Sequence, residues 1–84
     1  MKVNTQLRKE ILQVVDNQLK SNDPEETNIT YRRLLGLGYS QIQAKTLIGQ
    51  CVSVELFLVI KEQKPFDEAR YIKNLKQLPK EPFD

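Results

Sequence analysis

The segment after Ser40 most restricts the fold, because it is long, apolar and interrupted by no turn signal. Ser40 followed by Gln43 forms a capping box, which predicts that a helix begins there. Apolar residues then occupy nearly every side of that helix, which is typical of a buried central helix or of one that also contacts a partner chain. We predict a long third helix over 41–62 with apolar residues Ile42, Leu47, Ile48, Cys51, Val52, Phe57, Leu58 and Val59.

The second half of this segment, residues 52–60, is rich in β-branched side chains and is also compatible with a buried strand. A strand needs a neighbour for its backbone hydrogen bonds, and the sequence offers no second strand. We therefore predict a helix, and an extended 52–60 paired with another strand would contradict that prediction.

Three shorter helices are predicted at 5–20, 24–36 and 68–78. Apolar residues recur every three or four positions in the first of them, which places these side chains on one face. We expect Asp23 to cap the second helix, with Pro24 at its first position, and the glycine turn after Leu35 to end it. Asp67 is expected to cap the fourth helix and Pro79 to stop it.

The length of the chain is consistent with one domain. Its 84 residues leave no room for two, and short connections between helices favour antiparallel neighbours. We predict a single all-α domain over 1–84, a compact four-helix bundle with a frayed tail at 80–84. Such small cores are often reinforced by a disulfide, a metal or a partner chain, and Cys51 is the only cysteine.

The start of the chain indicates no export signal. Met1 is followed by Lys2, Val3 and Asn4, with no apolar run behind them. The most apolar stretch, 51–60, is shorter than the roughly twenty residues that span a bilayer. A single thiol suits a reducing compartment. We expect a cytoplasmic protein that has no membrane partner.

The absence of histidine restricts the chemistry of the chain. Histidine is the usual general base near neutral pH and the commonest metal ligand. The three glycines, Gly36, Gly38 and Gly49, lack the spacing of a phosphate-binding loop. Cys51 has no base to activate it. We predict no enzyme activity, no catalytic residue and no cofactor.

Three carboxylates in helical segments, Glu10, Asp16 and Glu55, are the remaining candidates for a weak metal site. Glu55 stands among apolar residues, and a buried carboxylate must be paired, hydrogen-bonded or neutral. We favour a glutamate bonded to a lysine, arginine or tyrosine, and keep the metal or acid–base role as the alternative.

The apolar excess over 51–60 predicts a surface for a partner. The favoured function is a non-catalytic interaction or structural module that forms a homodimer, with Val54, Phe57 and Leu58 in the interface.

A second candidate surface is the corner between the second and third helices. Arg32, Arg33 and Lys45 flank this corner and could bind nucleic acid with low affinity. The small net charge of +2 and the apolar third helix argue against that partner.

The corner segment 34–44 contains leucine, glycine, an aromatic residue, serine and then alanine. This pattern resembles the first turn of ubiquitin-associated domains and the small helical domain of a Holliday-junction helicase subunit. The simplest interpretation is a helix–turn–helix corner, because a glycine cap and a serine cap produce the same pattern.

Motifs spread along nearly the whole chain resemble a family of short bacterial helical proteins of unknown function. These motifs are 15–19, 23–27, 34–40, Ala44, Ile48, Glu55, 66–67, Tyr71 and 78–79. The resemblance implies a helical bundle of bacterial origin, whose relatives carry histidine and glutamate on the first and third helices. The corresponding positions here fall near Arg8, Leu12, Thr46, Gln50 and Val54. None of these is a good ligand, so the resemblance implies the bundle without its metal.

Overall fold

A computed structural model of the chain describes residues 5–82 and shows an all-α bundle. Its helices are α1 (Thr5–Ser21), α2 (Glu25–Gly36), α3 (Gln41–Glu62) and α4 (Glu68–Gln77). The described part of the chain contains no strand, so the helical prediction for 52–60 is confirmed. Each helix boundary lies within one residue of its expected position, and residues 83–84 of the predicted frayed tail lie outside the described residues.

The corner between α2 and α3 is built by local backbone chemistry. Gly38 has a φ of 103°, which allows the Tyr39 N–H to donate to the Leu34 carbonyl over 3.2 Å. The Ser40 hydroxyl accepts from the Gln43 N–H at 3.1 Å, and the Gln43 side chain accepts from the Ser40 N–H at 2.9 Å. Both the glycine cap and the predicted capping box are therefore confirmed.

The start of α2 differs from the prediction. Pro24 itself occupies the N-cap position, with extended backbone, and no side chain caps the helix. The cap predicted for Asp23 is wrong, because this carboxylate lies one residue too early to reach the first free N–H groups. Asn28 instead stabilises the turn between α1 and α2. Its side-chain amide donates to the Leu19 carbonyl and to the Asn22 side chain, both at 3.0 Å.

The third helix is the centre of the bundle. It packs against each of the other three helices. Its buried residues lie on one side of the helix, at positions three or four apart or next to such positions: Ala44, Ile48, Gly49, Cys51, Val52, Glu55 and Leu58. The remaining core comes from Ile11, Val15, Leu34, Tyr71, Leu75 and Leu78. The prediction of a long central helix is confirmed, and its opposite face stays open to solvent.

Of the described helices, α3 is the one that is long and apolar enough to cross a bilayer by length and composition. The sequence analysis considered only the ten residues 51–60 and so underestimated the length of the apolar helix, which has 22 residues. Only 39% of its most apolar window is buried in the bundle. The central helix of a water-soluble protein passes the same test, so this composition is weak evidence of a membrane span.

Candidate functional site

Glu55 is fully buried between α3 and α4 and is held by three donors. The Arg70 Nε donates to one carboxylate oxygen at 2.6 Å, and Arg70 Nη2 donates to the other at 3.0 Å. The backbone N–H of Asp67 donates to that second oxygen at 2.9 Å. This bidentate, charge-assisted pair satisfies the buried carboxylate, as the sequence favoured. Glu55 in turn raises the pKa of the Arg70 guanidinium.

Cys51 lies one turn before Glu55 on the buried side of α3. Burial, reinforced by the negative charge of Glu55, raises the pKa of the Cys51 thiol to about 12. The thiol is therefore protonated at neutral pH, and a protonated buried thiol is a poor nucleophile.

The three carboxylates considered as metal ligands lie apart. Asp16 pairs with Lys45 over 2.8 Å at the surface, and Glu10 accepts from the Gln6 side chain at 3.4 Å. Glu55 is committed to Arg70. Within residues 5–82, no three histidine, cysteine, aspartate or glutamate side chains come close enough to hold a metal ion.

The three basic side chains predicted to bind nucleic acid at the α2–α3 corner also lie apart. Arg33 donates to the carbonyls of Leu78 at 2.6 Å and Leu75 at 2.9 Å, so it caps the end of α4. Lys45 is paired with Asp16, and Arg32 is exposed with its Nε 3.4 Å from the Asn28 carbonyl. The three side chains therefore do not form one free basic patch.

A buried polar cluster links three helices and was not predicted. The Gln18 side-chain oxygen accepts from the Tyr71 hydroxyl at 2.6 Å and from the Thr27 hydroxyl at 2.8 Å. Tyr71 and Thr27 are both buried. Because a buried hydroxyl requires a partner, Tyr71 on the apolar side of α4 was a signal that a polar residue on another helix would reach it.

The solvent side of α3 carries three large exposed apolar side chains, beside exposed polar residues such as Gln43 and Gln50. Ile42, Phe57 and Ile60 are 55%, 60% and 79% exposed. With Thr46 and Ser53 between them, these residues recur every three, four or seven positions. We call Ile42, Thr46, Ser53, Phe57 and Ile60 the outer face of α3.

Two of the predicted interface residues lie elsewhere. Leu58 is only 4% exposed and belongs to the core, because it falls on the side of α3 that the bundle covers. Val54 is half-buried at the edge, and Phe57 alone of the three projects from the outer face.

The hydroxyl groups of the outer face are turned toward the helix backbone. Thr46 donates to the Ile42 carbonyl at 2.7 Å, and Ser53 donates to the Gly49 carbonyl at 2.9 Å. Their hydrogen-bonding capacity is thus partly used within α3. The outer face offers a partner fewer polar groups than its sequence indicates.

A shallow depression of about 200 Å³ interrupts the outer face where α1 meets α3. We call it the α1–α3 notch; its lining residues are Arg8, Ile11, Leu12, Thr46, Gly49, Gln50 and Ser53. Gly49 lets α1 approach closely, since a Cβ at this position would lie 3.1 Å from Ile11 Cγ2. Arg8 makes no hydrogen bond or ion pair with any residue in the described range.

Four of the five positions that the family resemblance singled out line this notch. They are Arg8, Leu12, Thr46 and Gln50, whereas Val54 does not line it. The structure thus brings these positions of the first and third helices together, with side chains that are poor metal ligands.

Comparison of the chain with protein-family models, with curated proteins and with solved structures finds no significant match. The resemblance to short bacterial helical proteins therefore stays a prediction, and the function is inferred from the geometry of this chain alone.

Proposed function

We propose that this protein is a non-catalytic interaction module that self-associates through the outer face of α3. The observation that carries the proposal is the exposure of Phe57 and Ile60, which lie about one turn apart on that face and are 60% and 79% exposed. Large apolar side chains grouped on a surface usually mark a site of contact with another chain.

The free energy of burying these two side chains sets the scale of the dimer's affinity. Burying an exposed phenylalanine or isoleucine completely contributes about 1.5–3 kcal/mol. At exposures of 60% and 79%, Phe57 and Ile60 would contribute about 1–2 kcal/mol each, and a two-fold interface counts each residue twice. Association itself costs roughly 4 kcal/mol or more. These side chains therefore roughly offset that cost, and the rest of the face has to supply the remainder of the roughly 8 kcal/mol that a micromolar dissociation constant requires.

The two alternative functions have less support. A carboxylate metal site would require side chains that lie apart and are already paired, as for Glu55 and Arg70. A nucleic-acid site at the α2–α3 corner would require Arg33 to leave the carbonyls that it caps. Elemental analysis and a low-salt mobility assay test these alternatives directly, because phosphate contacts are strongest at low salt.

Sedimentation equilibrium of three chains tests the proposal. The natural chain, Ile60→Asp and Ile29→Asp are compared from low micromolar to hundreds of micromolar protein. Ile29 is the matched control, because it is an isoleucine on the outside of α2 and is 52% exposed. We expect the natural chain and Ile29→Asp to dimerise, and Ile60→Asp to stay monomeric because its charge would be buried in the interface.

Two results would contradict the proposal. One is a natural chain that stays monomeric over the whole concentration range. The other is a dimer that Ile29→Asp dissociates and Ile60→Asp leaves intact, which would place the contact on another surface.

A further inference from the structure

We propose that two copies of the chain pack α3 against α3 in antiparallel orientation, with the two-fold axis at Ser53 and Phe57 of each copy seated in the α1–α3 notch of the other. This inference rests on the proposed function, since it specifies how the outer face is covered.

The first support is the spacing of residues about Ser53. Gly49 lies four residues before Ser53 and Phe57 four residues after it, which is about 6 Å along the helix in each direction. Thr46 and Ile60 lie seven residues before and after, about 10 Å away. A two-fold axis at Ser53 therefore brings the partner's Phe57 level with Gly49 and the partner's Ile60 level with Thr46.

The second support is the match of shapes at these levels. The aromatic side chain of the outer face, Phe57, meets a recess of that same face, the notch floored by Gly49. A two-fold interface requires a surface that is complementary to itself, and a projection and a recess equidistant from one point satisfy this requirement. The apolar walls that Ile11 and Leu12 of α1 provide would cover the ring.

A parallel arrangement fits less well. If both copies ran in the same direction in register, Phe57 would face the partner's Phe57, and Gly49 would face the partner's Gly49. Two projections would then hold the helices apart while two recesses stayed empty. Cavities and poor contact are unfavourable in interfaces as in cores.

The positive charge of Arg8 beside the notch would favour an aromatic side chain bound there. Arg8 lines the notch and has no partner in the described chain. A guanidinium can stack on the face of an aromatic ring. Phe57 already has a cation near its ring in the monomer, where Lys61 Nζ lies 5.6 Å from the centroid. In the dimer, Arg8 would contact the ring of the partner's Phe57.

Disulfide trapping tests the orientation. The background variant is Cys51→Ala, which removes the buried natural thiol. Single variants Ser53→Cys, Ile42→Cys and Ile60→Cys are oxidised mildly and separated on a non-reducing gel. Only Ser53→Cys is expected to form a covalent dimer, because a disulfide needs Cα atoms within about 7 Å. Two copies of Ile60 would be about 21 Å apart, and two copies of Ile42 about 33 Å apart.

A mixture of Thr46→Cys and Ile60→Cys chains provides the positive control for register, since these positions meet across the axis. We expect the mixture to give a covalent dimer in much greater yield than either chain alone. Phe57→Ala should weaken the dimer by roughly tenfold or more in dissociation constant, as a central aromatic anchor does.

Failure of this inference can be distinguished from failure of the proposed function. If the chain dimerises but Ile42→Cys and Ile60→Cys each cross-link alone, the helices are parallel and the antiparallel arrangement is wrong, while self-association through α3 stands. If no cysteine variant cross-links and the natural chain sediments as a monomer, both proposals fail.

Discussion

Glu55 and Arg70 differ in how far each can reach water. The Glu55 side chain is completely buried, whereas 28% of the Arg70 side chain is exposed. A cation left without its partner can turn outward into solvent, but a buried carboxylate cannot. Removing Arg70 and removing Glu55 should therefore change the stability of the fold by different amounts.

We predict that Arg70→Ala destabilises the protein more than Glu55→Gln. The first leaves Glu55 as an uncompensated buried charge, which is more destabilising than the loss of a single hydrogen bond. The second keeps the volume and a neutral hydrogen bond at the same place, and should lower it by about 1–3 kcal/mol. Urea unfolding of both variants measures the difference, and equal losses or the reverse order would contradict the described geometry.

A second prediction at this scale concerns alkaline pH. Burial raises the pKa of Tyr71 from 10.0 to about 12 and that of Cys51 from 9.0 to about 12. Well below pH 9 both groups are protonated in the folded and the unfolded chain, so their stabilising contribution is fully present. As the pH rises from about 9 to about 12, the unfolded chain releases protons that the folded chain retains, and stability falls.

Urea midpoints measured across this pH range should therefore decrease. Tyr71→Phe and Cys51→Ala should each flatten the decrease, and the comparison uses slopes because each variant also changes stability at neutral pH. A slope unchanged in both variants would show that other groups cause it.

At the scale of elements, two glycines at the α2–α3 corner lie in different environments. Gly36 is the last residue of α2 and needs no positive φ, and a Cβ added to it would have no other atom within 4 Å. Gly38 has a φ of 103° that L side chains rarely adopt. The same substitution should thus have opposite effects two residues apart.

We predict that Gly36→Ala stabilises the protein by about 0.5–1 kcal/mol, because alanine restricts the unfolded chain and favours the helix. Gly38→Ala should destabilise it by about 1 kcal/mol or more through backbone strain. Thermal unfolding of the pair measures both. A stabilising Gly38→Ala would mean that the turn does not require the positive φ.

The helices themselves were predictable because their ends are local. The Ser40–Gln43 capping box and the Gly38 turn depend on residues a few positions apart, so the pattern indicates them directly. Asp23 failed as a cap because Pro24 has the backbone of a cap residue itself. In that motif propensity favours Asp at the cap and Pro at the first helical position, and the helix here begins one residue later than this pattern predicts.

For the contacts between helices, the sequence predicted the type of partner that a buried polar group requires, but not which residue provides it. A buried Glu55 needs a cation, and the sequence indicated its type, but Arg70 was one of several basic residues that could supply it. The bond from Tyr71 to Gln18 spans 53 positions, and it depends on how α4 lies against α1. The outer face was anticipated through Phe57, while Leu58 was misplaced because α3 is apolar on both sides.

At the scale of the whole molecule, α3 has two distinct sides. Its inner side forms the core with the other three helices, and its outer face remains free in the monomer. In the proposed dimer, covering the outer face would stabilise the folded chain by mass action, because the unfolded chain would not dimerise through it.

We therefore predict that the thermal midpoint of the natural chain rises with protein concentration across the micromolar range. Ile60→Asp should have a midpoint that does not change with concentration, and Ile29→Asp should behave like the natural chain. Calorimetry at several concentrations measures this. A concentration-independent midpoint for the natural chain would contradict self-association.

The close approach of α1 to Gly49 has a consequence for how such a chain can change. The same glycine lies against α1 inside the molecule and lines the recess that we propose receives a second molecule. Any side chain added there would press on Ile11 and at the same time reshape the recess. In the proposed dimer, folding and assembly would thus depend on a single missing methyl group, and neither property could be adjusted at this position without disturbing the other.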